Sequence, residues 1–299
     1  MLAMPDEYYC LAVDLRGYGD TEDRLIDAKR GARDWSDDLA ELVQVLGINS
    51  AHWVGWSAGA AAIMQLSMDK VSLVLSLTLV APISPFGFGG TKGETGEPCF
   101  EDFSGSGGGV VGKEFIRQIR LKDKTRNLPN SPLSVIYDNY IYKQRTLPRE
   151  SQLLEGSLKQ ALGDHKYPGD FKVSSNWPYV SPGDFGPINA VSAEHYNMSA
   201  FVDMPGKPPV LWVRGDKDAI VSNHSFSDMA VLGAEGLVPG WPGHENFPPQ
   251  AMIDQMRFLM RGYCRNGGEF EEAVMAETGH SPFIEAQSEF LDIFLNFLR

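Results

Sequence analysis

The chain has 299 residues, enough for one large domain with an insertion or for two domains. Hydrophobic residues make up 43% and aromatics 11%, which fits a protein with a real core. A formal net charge of −13 argues against a nucleic-acid groove or an anionic membrane surface as partner. Three cysteines, Cys10, Cys99 and Cys264, stand far apart without C-x-x-C spacing. This argues against a disulfide framework or a cysteine zinc site and points to a reducing, cytoplasmic compartment. No apolar run reaches the roughly 18–20 residues of a membrane span. The start "MLAMPDEYYC" lacks the basic-then-apolar pattern of a signal peptide.

In chain order, "YYCLAVD" (8–14) reads as a buried strand followed by a turn-rich segment. "DWSDDLAELVQVLG" (34–47) carries apolar residues at helical spacing, acids early and a closing glycine, the start and stop signals of a helix. "AHWVG" (51–55) is the next strand, leading into Gly55-Trp56-Ser57-Ala58-Gly59 and the helix "AGAAAIMQLSM". "LVLSLTLVAP" (73–82) is an apolar strand ended by proline. Alternating strands and helices with continuous apolar strands predict an α/β fold, a mostly parallel sheet with helices on both faces.

From about 86 to 207 the character changes. "PFGFGGTKGETGEP" and "FSGSGGGVVG" are glycine-rich, and helical patches follow at "KEFIRQIRL", "SPLSVIYDNYIY" and "RESQLLEGSLKQAL". This span is expected to be a partly helical cap, its glycine runs opening readily and its long loops acting as lid or binding loops, with a flexible linker as the alternative. The core would then comprise 1–85 and 208–299. Sheet-like sequence resumes at "PPVLWVRGDKDAIV" (208–221). A helix at 248–264, a strand at 272–277 and an amphipathic C-terminal helix, "IEAQSEFLDIFLNFLR", complete the pattern.

Ser57 between two glycines, at a strand-to-helix turn, has the setting of an exposed nucleophile. A serine hydroxyl is a poor nucleophile at its free pKa and needs a base with an orienting acid. His280 follows the strand at 272–277, and Asp216 and Asp218 follow the strand in 208–221. These groups lie at the carboxyl ends of three strands, where open α/β sheets build their sites, and they occur in the order serine, aspartate, histidine. His224 and His244 lie in loops near the acid strand, while His52, His165 and His195 have no context that singles them out. Trp56, Trp177 and Trp241 either line an apolar acyl pocket or belong to the core.

These motifs together resemble the α/β-hydrolase superfamily in its lid-bearing form. "VDLRGYGDTE" is similar to the strand and turn before the elbow, "GWSAG" to the nucleophile elbow, "LWVRGDKDAIV" to the acid loop and "ETGHSPFIE" to the histidine loop. The resemblance implies Ser57, Asp218 and His280 as catalytic residues, with Asp216 as the alternative acid. It implies Ala58 N–H as an oxyanion donor, and Trp56, next to Ser57, is the tryptophan expected to meet the substrate. It also implies a small-molecule substrate and no cofactor or metal. The expected reaction is hydrolysis of a carboxylic ester or lactone of a small, largely apolar molecule. C–C bond hydrolysis by the same triad is one alternative; a catalytically weak small-ligand binding protein on the same scaffold is another.

The family resemblance begins late. The family's preceding strand, which would lie between "YYCLAVD" and "AHWVG", and its His-Gly oxyanion loop have no counterpart here. Three expectations follow: Met1 is an internal methionine of a longer chain, the two flanking strands pair directly, or another chain completes the sheet.

Overall fold

A computed structural model describes residues 3–143 and 146–299; Met1, and with it the reading of that residue as internal, lies outside them. The central sheet has four parallel strands in sequential order: β1 (Ala51–Trp56), β2 (Val74–Val80), β3 (Val210–Gly215) and β4 (Phe270–Met275). The register runs Trp56 opposite Val80, Val80 opposite Val213, and Gly215 opposite Met275, so all four strands end at one level. The expected α/β architecture is therefore present.

Alternation along the strands assigns the two faces. Leu77, Leu79, Val210 and Trp212 pack with α1 (Arg33–Val45), α2 (Ala58–Asp69) and α3 (Met252–Arg265) in the main core. Val80, Leu211, Val213 and Met275 turn the other way onto Phe290 and Phe294 of α4 (Gln287–Leu298). Burying each of those phenylalanines contributes roughly 1.5–3 kcal/mol. The expected continuous C-terminal helix is broken at Ala286, whose backbone leaves the helical region at φ −132°, ψ 59° and separates a short turn of helix, Pro282–Glu285, from α4.

Residues 8–14 depart from the expectation. They form no strand, and Tyr9, Leu11 and Val13 are exposed. A strand is defined by its ladder, and this segment has no partner; direct pairing with β1 does not occur among the described residues. Consequently β1 is a sheet edge, with Val54 exposed beside it.

The span 86–207 lies between β2 and β3, and its described residues add no strand to the central sheet. Its short helices build a cluster of their own around Leu133, Ile136, Tyr137, Leu154 and Leu158, against which Ile284 packs. Its far end, with Ala190, Tyr196, Met198 and Phe201, joins the main core. The glycine runs are not open. A Cβ on Gly105 would stand 2.4 Å from Phe247, and one on Gly107 would stand 2.5 Å from Asn189 Oδ1. The neighbouring Ser104 and Ser106 are fully buried and donate to the carbonyls of Asn176 and Phe88. These glycines serve close approach of backbone to side chain rather than flexibility.

Candidate active site

The strand ends converge on one place. Ser57 links β1 to α2 at φ 55° and ψ −121°, a conformation that costs an ordinary L-residue of order 1–3 kcal/mol. The turn is held from both sides. Ser57 N–H donates to Val80 O at 2.9 Å, and Ser57 O accepts from Ala60 N–H at 3.0 Å. Gly55 is required, because a Cβ there would lie 2.5 Å from Gly59 O and 2.7 Å from the Ala60 backbone. Gly59 meets nothing within 4 Å, so the room expected of both glycines is needed only at the first. Ala58 opens α2, where amides have no acceptor within the helix.

Across the sheet, the acid and histidine loops are fastened together. Asp216 N–H donates to Met275 O and Lys217 N–H to Thr278 O, each at 3.0 Å. Gly215 allows this approach: its Cβ would fall 2.1 Å from Thr278 O and 2.2 Å from Gly279 O. The result brings Asp218 Oδ2 to 2.8 Å from His280 Nδ1, while Asp218 Oδ1 accepts from Ile220 N–H and Val221 N–H at 2.8 and 2.9 Å. Asp216 instead faces Lys217 Nζ at 3.2 Å near the surface. His280 is fully buried, and its Nε2 has no partner in the structure. With a carboxylate on Nδ1, that nitrogen carries the proton and Nε2 presents its lone pair. Ser57 Oγ makes no hydrogen bond to it.

Trp56 joins the two halves. Its indole N–H donates to His280 O at 2.8 Å, and its ring lies 5.6 Å from that of His280, 5.6 Å from Tyr140 and 5.3 Å from Phe283. Trp177 and Trp241 pack instead with Phe247 in a separate cluster. His224 and His244 are exposed. His52 Nδ1 pairs with Ser76 Oγ and His195 Nε2 with Gly183 O; none of these four joins Asp218 or His280.

Glu285 was not foreseen. Its Oε1 accepts from Gly279 N–H at 2.7 Å and its Oε2 from Tyr142 N–H at 2.6 Å, bridging the histidine loop to the span 86–207. Burial pushes this carboxyl above its ordinary range, Asp218 adds to the effect, and the amide donors oppose it. Gly279 sits directly on residues 141–142: a Cβ would be 3.1 Å from Tyr142 N. Nothing in the spacing "HSPFIE" announces a partner 143 residues away.

The model of the alpha/beta hydrolase family matches residues 2–293. The chain belongs to the alpha/beta hydrolase family. It is thereby a hydrolase by family, as the motifs led us to expect. Among solved structures, this hydrolase is similar to a putative aryl esterase from Burkholderia cenocepacia, with 15% identity, 96% of this chain and 78% of that one covered, and a TM-score of 0.55. It is also similar to a serine hydrolase from the polyaromatic hydrocarbon-degrading bacterium Cycloclasticus zankles, with 13% identity, 95% and 77% covered, and a TM-score of 0.53. At such identities the likeness concerns the fold. One curated relative is 36% identical over 86 residues: the dihydrolipoyllysine-residue acetyltransferase component of the acetoin cleaving system of Cupriavidus necator. The match spans 29% of this hydrolase and about a fifth (22%) of that relative's length. No helix among the described residues is long and apolar enough to cross a membrane.

Proposed function

We propose that this hydrolase cleaves a carboxylic ester or lactone of a small, largely apolar molecule through an acyl-enzyme on Ser57. The observation that carries the reading is the buried, unpartnered Nε2 of His280, whose other nitrogen is held by Asp218, in contact with the residue preceding a strained serine. In the first step Ser57 Oγ bonds to the acyl carbon as its proton passes to His280 Nε2. The oxyanion that forms takes a hydrogen bond from Ala58 N–H. Collapse breaks the bond to the leaving oxygen, which receives the proton from Nε2. Water, deprotonated by the same nitrogen, then releases the acid. Asp218 fixes the imidazole tautomer and stabilises the imidazolium. Trp56 holds the histidine loop and walls the site, and the span 86–207 acts as the cap that selects the substrate.

A fluorophosphonate probe tests this directly, because it reacts with activated serines. The expected result is labelling of the parent at Ser57 and none in Ser57→Ala. An unlabelled parent that also leaves p-nitrophenyl acetate untouched would overturn the reading.

A further inference from the structure

The imidazole of His280 is held by Asp218, but its backbone is held separately, on both sides. The amide before it, Gly279 N–H, donates to Glu285 Oε1 at 2.7 Å, and its own carbonyl accepts from the Trp56 indole N–H at 2.8 Å. The chain reaches this arrangement by folding back on itself. Ser281 O accepts from Ile284 N–H at 2.9 Å and from Glu285 N–H at 3.1 Å, so the turn Pro282–Glu285 returns the carboxylate to the residue preceding the histidine. Two side chains of that turn fix it from outside. Phe283 meets Trp56 edge-on at 5.3 Å, and Ile284 packs on the cluster around Leu133 and Ile136.

Glu285 is itself oriented, because its Oε2 accepts from Tyr142 N–H at 2.6 Å. Each oxygen thus takes a backbone donor, and hydrogen bonds to an ionised carboxylate are roughly twice as strong as neutral ones. A glutamine of the same shape cannot do this. It offers one acceptor oxygen, and its NH2 would face the second N–H. The backbone hold matters for the base. The bond from Asp218 fixes only Nδ1; where Nε2 lies depends also on the Cα of His280, which Glu285 and Trp56 keep in place. Proton transfer tolerates little error of position, since a misplacement of about 1 Å costs on the order of 10²-fold in rate.

We infer that Glu285 is a positioning residue for His280: its ionised carboxylate, with the Trp56 indole, fixes the histidine backbone so that Nε2 is in place to take the proton of Ser57. Glu285 touches neither the substrate nor the reacting atoms and acts only through the residue it holds. The inference rests on the hydrolase reading for the reaction served, but the hold on His280 is measurable without turnover.

The test compares the full chain with Glu285→Gln and with Trp56→Phe, which removes the indole N–H but keeps a ring beside Tyr140 and Phe283. Proton NMR follows His280 Nδ1–H, which its bond to Asp218 shifts far downfield and its burial shields from water; Asp218→Asn identifies the signal by its loss. At a temperature where circular dichroism shows every chain folded, this proton should exchange roughly 10–100-fold faster in either variant, the worth of one charge-assisted bond in the opening equilibrium. On p-nitrophenyl butyrate, Glu285→Gln should lower kcat about 10–100-fold and leave KM within about threefold, because ground-state binding is untouched. A merely structural Glu285 would lower Tm while the folded variant kept the parent's exchange rate and kcat, and that result would overturn the proposal. Should Glu285→Gln fail to fold, Trp56→Phe decides by the same signal, with unchanged exchange overturning the proposal. The NMR signal needs no turnover, so failure of Ser57 labelling and failure of this positioning are told apart.

Discussion

Replacing Asp218 by asparagine isolates the role proposed for this carboxylate. In the structure, Oδ1 of Asp218 accepts two backbone N–H groups and Oδ2 meets His280 Nδ1 at 2.8 Å. An asparagine keeps its carbonyl oxygen on Ile220 and Val221 and therefore points its amide nitrogen at His280. That nitrogen only donates, so Nδ1 must become the acceptor and the proton moves to Nε2. Nε2 can then no longer take the proton of Ser57, and the imidazolium loses its counter-charge. The expected fall in kcat is about 10⁴-fold, or about 5.5 kcal/mol of activation free energy. Because the loop bonds persist, Tm should move by only a few degrees. Asp216→Asn is the control: its carboxylate pairs with Lys217 near the surface, where ion pairs contribute little, and kcat should stay within about twofold. Initial rates on p-nitrophenyl butyrate, with thermal melts of each variant, make the comparison. A damaging Asp216→Asn beside a near-normal Asp218→Asn would refute the tautomer argument outright.

Ser57→Ala should lower kcat by on the order of a millionfold while leaving the melting curve in place, since alanine and serine bear the same positive φ; residual activity near the parent's would remove Ser57 from the mechanism. Gly55→Ala should collapse the elbow against the backbone of α2, with loss of both activity and Tm. Gly59→Ala, which meets open space, should keep the fold and gain up to about 1 kcal/mol in denaturant unfolding; equal damage at both positions would contradict the packing described. Glu272 accepts from Arg214 and Arg257, and these bonds outweigh the burial that would raise its carboxyl, so its pKa is lowered. A depressed acid stabilises the fold above its unfolded value of 4.5 and ceases to do so as pH falls through its folded value. Glu272→Gln should therefore lower Tm at pH 7, with the difference from the parent shrinking as pH falls below 4.5; a constant difference would show that the charge is not responsible.

The two inner strands, β2 and β3, were legible because each is a short apolar run closed by a proline or glycine, and a parallel sheet buries both faces of such runs; β1 and β4, at the sheet edges, are less apolar and were read from their place in the alternation. Residues 8–14 carry the same pattern, yet pattern alone does not make a ladder. The glycine runs misled for a different reason: glycine permits both mobility and tight approach, and only the neighbours at Gly105 and Gly107 decide between them. Ser57, Asp218 and His280 could be named because each follows a strand end, a local feature. Glu285 could not, since its position depends on contacts between segments far apart in the chain.

The bridge made by Glu285 couples the span 86–207 to the histidine loop. One carboxylate oxygen holds the amide next to His280, and the other holds Tyr142, two residues beyond Tyr140. Any motion that lifts residues 141–142 must either break these charge-assisted bonds or drag the histidine loop with it. Gly279, with no side chain to act as a spacer, leaves the two backbones no slack. Residues 141–142 and the histidine loop are thus one mechanical unit: under the proposed mechanism, a molecule that lifted Tyr142 would also displace His280, and proton transfer would wait until both had returned.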